Sequence, residues 1–289
     1  MLLPALLAAV IQAPASPLLE VQAAGAWHPW HGGAPASVAG REPMLAAAVT
    51  WTDSASGLRA GTFEVRAADG TLHNSIAIVE LDPARVRFSL GRAAPDRRRT
   101  AGDWLASDSA IMLAVNTGLF RVNGTSQGLV MQNGVRTSAL AGWLDAVVVL
   151  GENGIRFTDI SSARNLPPGA SAFQTLPVLV RDGRVAFGWT SGLKLSRTHR
   201  DRRITLCLGD DGLIRLLLSN FELFGVTAGS VPIGLTIPEQ AALASGAGCR
   251  DAVALDGGIS SQIAFRAGGR VIKWPGWRRV PLMLLVRAR

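Results

Sequence analysis

Residues 236–261 read TIPEQAALASGAGCRDAVALDGGISS, and their order decides what kind of fold the chain builds. Thr236 stands three residues before Glu239 with Pro238 between them, so hydroxyl and carboxylate can each satisfy a backbone N–H that a first helical turn leaves without a partner. This predicts a short helix over residues 238–245, stopped by Gly246 and Gly248. The apolar run 252–255 that follows is too short for a second helix and reads as a buried strand. It ends in Asp256-Gly257-Gly258. The same order occurs once more: Thr100 before Asp103 predicts a helix to about Ser107, residues 111–115 form the apolar strand, and Asn116-Thr117-Gly118 is the loop. Helix, buried strand and polar glycine loop, repeated, predict two loops emerging together at one edge of a mixed sheet.

Outside these two units, apolar stretches alternate with Asp69-Gly70, Asn133-Gly134, Asn153-Gly154, Asp182-Gly183 and Asp211-Gly212. Such pairs accept the positive φ angles of tight turns whose twist matches the flanking strands, so each announces a β-hairpin. The expected fold class is therefore α+β, with a mixed, largely antiparallel sheet and a few short helices. At 48% hydrophobic and 17% charged residues over 289 positions, the chain is globular and has enough apolar surface for one large domain. The formal net charge is +8, and nearly all the cations are arginine, which favours fixed recognition of an anion. They are scattered, with short clusters only at Arg97, Arg98 and Arg99 and at Arg200, Arg202 and Arg203, so nucleic acid is not an expected partner.

The apolar run 2–11 is too short to span a bilayer and is followed by small residues at Ala13, Ala15, Ser16, Ala23 and Ala24. The chain therefore divides into residues 1–24 as a signal peptide, 25–43 as an irregular arm rich in Trp, His, Pro and Gly, and 44–289 as the domain. A secreted, periplasmic or cell-envelope location with no stable transmembrane anchor after processing follows. Cys207 and Cys249 suit either one disulfide or two buried thiols.

Three stretches carry polar chemistry. Asp256-Gly257-Gly258-Ile259-Ser260-Ser261 offers a carboxylate, two glycines whose backbone can approach an anion, and two hydroxyls. Asn116-Thr117-Gly118-Leu119-Phe120 sets an amide at a strand end. His199-Arg200, just before the apolar strand at 204–208, pairs an imidazole with a guanidinium able to grip a phosphate through two parallel hydrogen bonds. Each also has a plain alternative: a hairpin, an Asx turn and a solvated charged loop. Gly124-Thr125-Ser126-Gln127-Gly128 fits the pattern of a serine-hydrolase elbow but lacks the preceding strand and following helix that the elbow requires.

Taken in order, these motifs resemble those of the phosphodiester glycosidase family, over about residues 57–287. The matching stretches are Asn116-Thr117-Gly118-Leu119-Phe120, the hairpin from Gly128 to Gly134, Gln174 with Pro177 and Val180, His199-Arg200, and Leu255-Asp256-Gly257-Gly258-Ile259-Ser260. The resemblance implies hydrolysis of a sugar-1-phosphodiester, with a phosphorylated or phosphodiester-linked glycan as partner. It implies a site of Asp256, Arg200 and Asn116 as catalytic residues, with His199, Gly118, Gln174, Gly257, Gly258, Ser260 and Ser261 binding substrate. In that scheme Arg200 holds the departing phosphate, helped by the backbone of Gly257 and Gly258. Asp256 faces the anomeric carbon or exchanges protons, and Asn116 and Ser260 orient ligand hydroxyls. A two-carboxylate mechanism needs a partner for Asp256, for which Glu80, Asp145 and Glu222 are the candidates. No motif calls for a cofactor, and the place of a divalent cation and the oligomeric state stay open. Asp201-Arg202-Arg203 and Leu176 depart from the family pattern and are expected to bulk up or recharge the pocket. The alternative reading is a catalytically silent binding module for anionic glycans or cell-wall polymers.

Overall fold

All five Asp-Gly and Asn-Gly pairs join neighbouring antiparallel strands in the computed structural model, which describes residues 19–30, 43–70, 73–94, 96–186, 195–223, 226–227 and 233–289. At Asn133-Gly134 and Asp182-Gly183 both residues have positive φ (50° and 82°, 50° and 72°), the twist that a two-residue hairpin turn needs. The strands form one sheet of eleven and two sheets of five, and every pairing among the described residues is antiparallel.

Both capping boxes form. Thr100 caps the helix Ala101–Ser107 through Asp103, and Thr236 caps the helix Ile237–Gly246 through Glu239. The second helix is buried almost all round, because it lies on one face of the largest sheet and packs Leu243 and Ala244 against Cys207 and Leu217. The other face of that sheet meets both smaller sheets in one core: Leu206, Leu216 and Val253 pack with Leu113 and Val115 of one small sheet and Val148 and Phe173 of the other. A sheet covered on both faces needs apolar residues at consecutive positions, which is why its strands read as unbroken apolar runs. Cys207 and Cys249 are joined in a disulfide between the adjacent strands Ile204–Gly209 and Cys249–Ala254.

Two expectations need correcting. The arm expected at 25–43 is not irregular throughout: Ala26–Trp30 pairs with Leu19–Ala23, which continues the largest sheet through Leu58–Ala67. Leu19 and Val21 are fully buried there, so the fold begins upstream of residue 44. Pro29 disguises this strand in the sequence, since a proline interrupts an interior strand but sits at low cost on the outermost one. Residues 31–42, the rest of the arm, lie outside the described residues, as do residues 1–18. The second correction concerns the two polar loops. They come from different sheets, because Ile111–Asn116 belongs to a five-stranded sheet and Cys249–Ala254 to the eleven-stranded one. Among the described residues no helix is long and apolar enough to cross a membrane.

Candidate active site

The two loops meet although their sheets differ. Asn116 is 1% exposed, and its Nδ2 donates to the Asp256 carbonyl (2.7 Å) while its Oδ1 accepts from the Gln262 N–H (2.9 Å). The Asp256 N–H in turn donates to the Thr117 carbonyl (2.8 Å). Asn116 is thus a clamp on the backbone of Asp256, with both ends of its amide engaged. The glycines act on the other flank of that loop. Gly258 has φ +61° and its N–H donates to the Arg202 carbonyl (2.8 Å), and a Cβ there would lie 3.1 Å from an Asp201 carboxylate oxygen. A Cβ on Gly257 would stand 3.0 Å from the Arg202 carbonyl. The doubled glycine therefore lets the segment around Asp201 pack onto the Asp256 loop, and the Gly258 N–H is not offered to a ligand.

In front of this clamp opens a cleft of about 370 Å³ lined by Phe120, His199, Asp201, Asp256, Gly257, Gly258, Ile259, Ser260 and Arg278. Burial pushes the Asp256 carboxyl up to about 7, helped by the neighbouring Asp201 charge and opposed by a hydrogen bond from Ser260 and by the Arg278 charge. Burial also raises Asp201, against the pull of Arg203, the Arg202 N–H and His199. The Asp201 side chain is 23% exposed, its Oδ1 accepts from the Arg202 N–H (2.8 Å), and His199 Nε2 lies 3.9 Å from its Oδ2. Arg278 sits over the Phe120 ring, 5.7 Å from its centroid. Two carboxylates, one titrating near neutrality, share a small cleft with one arginine and one exposed histidine. Such a set can exchange a proton at neutral pH, face a developing positive charge and hold an anion.

Several expected site residues lie elsewhere. Arg200 is turned to Glu239, with Nη1 and Nη2 each donating to one carboxylate oxygen (2.7 and 2.8 Å), so its fork already has an anion and does not line the cleft. Gln174 is 1% exposed and uses all four hydrogen-bonding positions on backbone: Oε1 accepts from Leu129 and Ala141 N–H, and Nε2 donates to the Ala141 and Leu144 carbonyls. Gly118 is required by close packing, since a Cβ would come within 2.1 Å of the Gln174 carbonyl. Ser261 is fully buried with its hydroxyl toward the Arg202 and Asp256 carbonyls.

Neither Glu80 nor Asp145 lines the cleft. Glu80 is buried in the largest sheet against Arg215 and Arg59, and Asp145 accepts from the Val178 N–H (3.2 Å). The side chain of Glu222 lies outside the described residues. The carboxylate that lines the cleft with Asp256 is Asp201, and the arginine that lines it is Arg278. Spacing gave Asp201 away to no motif, because it sits inside a charged run that reads as a solvated loop. Its neighbour Arg202 does not recharge the cleft. The guanidinium is buried, donates to the Asn220 side chain (2.8 Å) and the Pro275 carbonyl (2.5 Å), and is pushed down to about 10 by burial. Leu176 is buried as well, away from the cleft lining. Among the described residues no group of three or more His, Cys, Asp or Glu side chains is arranged to hold a metal ion.

Residues 109–287 match the family model for phosphodiester glycosidase. No curated protein matches the chain in sequence. Among solved structures, the catalytic domain of zebrafish N-acetylglucosamine-1-phosphodiester alpha-N-acetylglucosaminidase, auto-inhibited by its pro-peptide, is similar in fold, with a TM-score of 0.65 at 16% identity over 88% of this chain and 95% of that one. A hypothetical protein from Synechocystis gives a TM-score of 0.61 at 15% identity over 83% of this chain. The chain spans 64% of that protein, less than two thirds of its length. At these identities both likenesses speak to fold alone.

Proposed function

The chain belongs to the phosphodiester glycosidase family, and from that premise we propose that it hydrolyses the bond between a sugar's anomeric carbon and a phosphodiester. The observation that carries the reading is the pair Asp256 and Asp201 in one cleft with Arg278. A phosphate is a good leaving group, so the demanding parts of the reaction are the positive charge that develops on the sugar ring and the delivery of water. Asp201, ionised, faces the electron-poor anomeric carbon. Asp256, titrating at about 7, takes a proton from the attacking water. Water oxygen bonds to the anomeric carbon as the carbon–oxygen bond to phosphate breaks, and the electron pair leaves with the phosphate, whose charge Arg278 offsets. The products are the free sugar and a phosphate monoester, and Asp256 returns its proton to solvent. His199, exposed at the rim, and Phe120 shape the sugar side of the cleft.

Export belongs to the same proposal. Cleavage after Ala15, within the small-residue pattern Ala13-Pro14-Ala15, would leave Leu19–Ala23 in the sheet, whereas cleavage after Ala24 would remove a strand whose Leu19 is fully buried. The Cys207–Cys249 disulfide suits an oxidising compartment. N-terminal sequencing of the mature protein should find a start between Ser16 and Leu19, and an intact Met1 would refute it.

The test of the reaction is incubation of the purified protein with benzyl phosphodiesters of common hexose and hexosamine 1-phosphates. Release of free sugar and benzyl phosphate is expected. Thermal stabilisation by these compounds with no turnover of any of them would leave a binding module in place of the enzyme.

A further inference from the structure

Beside the cleft lies a larger groove of about 1040 Å³, which shares Ile259 and Arg278 with it. Five arginines line it, Arg97, Arg98, Arg99, Arg278 and Arg279, against two aspartates. One of these aspartates, Asp103, serves the Thr100 capping box, where the Thr100 N–H holds its carboxyl below the usual range, and its Oδ2 also lies 3.5 Å from Arg279 Nη1, which leaves the other four arginines without it as an ion-pair partner. The groove is built by the fold. Arg99 and Val280 exchange backbone hydrogen bonds (3.1 and 3.0 Å), which sets the two arginine clusters side by side. The N–H groups of Trp277 and Arg278 both donate to the Ile259 carbonyl (2.8 and 3.0 Å), fixing this strip against the turn that carries Ser260. Trp277 is 63% exposed, a flat apolar face among cations. Arg97 is exposed and its side chain makes no hydrogen bond or ion pair among the described residues.

We propose that this groove binds the anionic continuation of the substrate beyond the scissile phosphate, so that the substrate is a glycan chain carrying repeated phosphodiesters. The proposal rests on the reaction assigned to the cleft, because continuity through Arg278 is what makes the groove's ligand the far side of the same molecule. A cleft of about 370 Å³ suits one sugar phosphate, while a groove nearly three times larger suits several further units. Planar guanidinium forks recognise phosphate oxygens in pairs, and Trp277 offers a stacking face to the sugars between them. An open site of this kind attracts polyanions in a salt-dependent way.

The experiment is equilibrium binding of the whole protein to a short sugar-phosphate oligomer whose phosphodiesters are replaced by phosphonates, so that no turnover is read. A neutral oligomer of the same sugar and a single-stranded oligonucleotide of equal charge serve as comparisons. The oligomer should bind, more weakly as salt rises. Arg97→Ala with Arg98→Ala should lower its affinity about tenfold, as expected for two partly screened charge-assisted contacts. Arg97→Glu, a change confined to an exposed side chain, should weaken it further. Unchanged affinity in both variants, equal binding of the neutral oligomer, or equal binding of the oligonucleotide would each overturn the proposal. Because turnover is not measured, a protein that hydrolyses nothing yet binds through these arginines would lose the reaction and keep the groove.

Discussion

Behind the Asp256 loop and in front of it, the chain uses the same kinds of residue in opposite ways. Behind it, Asn116, Gln174 and Ser261 are buried with their polar atoms turned onto backbone. In front, Asp256, Asp201, His199 and Arg278 face open space, and burial raises both carboxyl groups instead of being relieved by a full set of partners. A motif residue is available for chemistry only where the fold leaves its polar atoms facing a ligand. Where every hydrogen bond is already made, the residue holds the shape of the site, and its loss is felt in stability.

Four substitutions can break or sharpen that contrast. The largest effect belongs to Asp256→Asn, which keeps shape and removes the charge: turnover of a sugar-1-phosphodiester should fall by ~10² to 10⁴. The same variant should be more stable than wild type at alkaline pH. The folded pKa lies above the ordinary value of 3.8, at about 7, so the folded state holds an extra proton and wild-type stability falls as pH rises through that window. Asn carries no such charge, and a pH series of melting curves should show the two proteins diverging there. Identical pH dependence would contradict the assigned environment.

Gln174→Ala comes next and tests the other side. It strands two backbone N–H groups and two carbonyls, so ~3 kcal/mol of stability should go, or roughly 10 °C in Tm, with KM little changed at low temperature. A large KM effect without a melting shift would move Gln174 into the substrate site. Arg278→Ala should lower kcat/KM by about 10- to 10²-fold, mainly through lost stabilisation of the phosphate, and melting should barely change. Arg200→Ala is the smallest, about 1 kcal/mol of stability from the lost pair with Glu239, read as a small Tm decrease without loss of turnover. If Arg200→Ala abolished turnover, the division between scaffold and cleft would fail at its most arginine-rich point.

Much of this fold was legible because its signals are local. A capping box or an Asp-Gly turn is decided within four residues, and Thr100, Thr236 and all five turn pairs form as read. The order of motifs that carried the family resemblance is likewise a property of the chain alone, and residues 109–287 fall within that family. The sequence immediately before the helix Pro43–Ala48 holds no Ser, Thr, Asp or Asn to announce it, and the hairpin at Leu19–Ala23 hid behind Pro29. What sequence order could not supply was direction. Arg200 and Asp201 are adjacent, yet one points to Glu239 in the helix Ile237–Gly246 and the other into the cleft. Arg278 lies far along the chain from both and enters only because its strip is bonded to the Ile259 carbonyl. Such facts are tertiary, and no spacing rule encodes them.

The central claim is that Asp256 is a buried carboxyl sharing one cleft with Asp201, and it is tested most directly by titrating the Asp256 carboxyl with ¹³C NMR in the wild type and in Asp201→Asn. The Asn side chain can still accept the Arg202 N–H, so the loop should hold while the neighbouring charge goes. Asp256 is expected to titrate at about 7 in the wild type, because burial raises it, and at a slightly lower pH in the variant, because the Asp201 charge adds the smallest part of that rise. A wild-type titration in the ordinary carboxylate range, or one that moves up when Asp201 is replaced, would contradict the account.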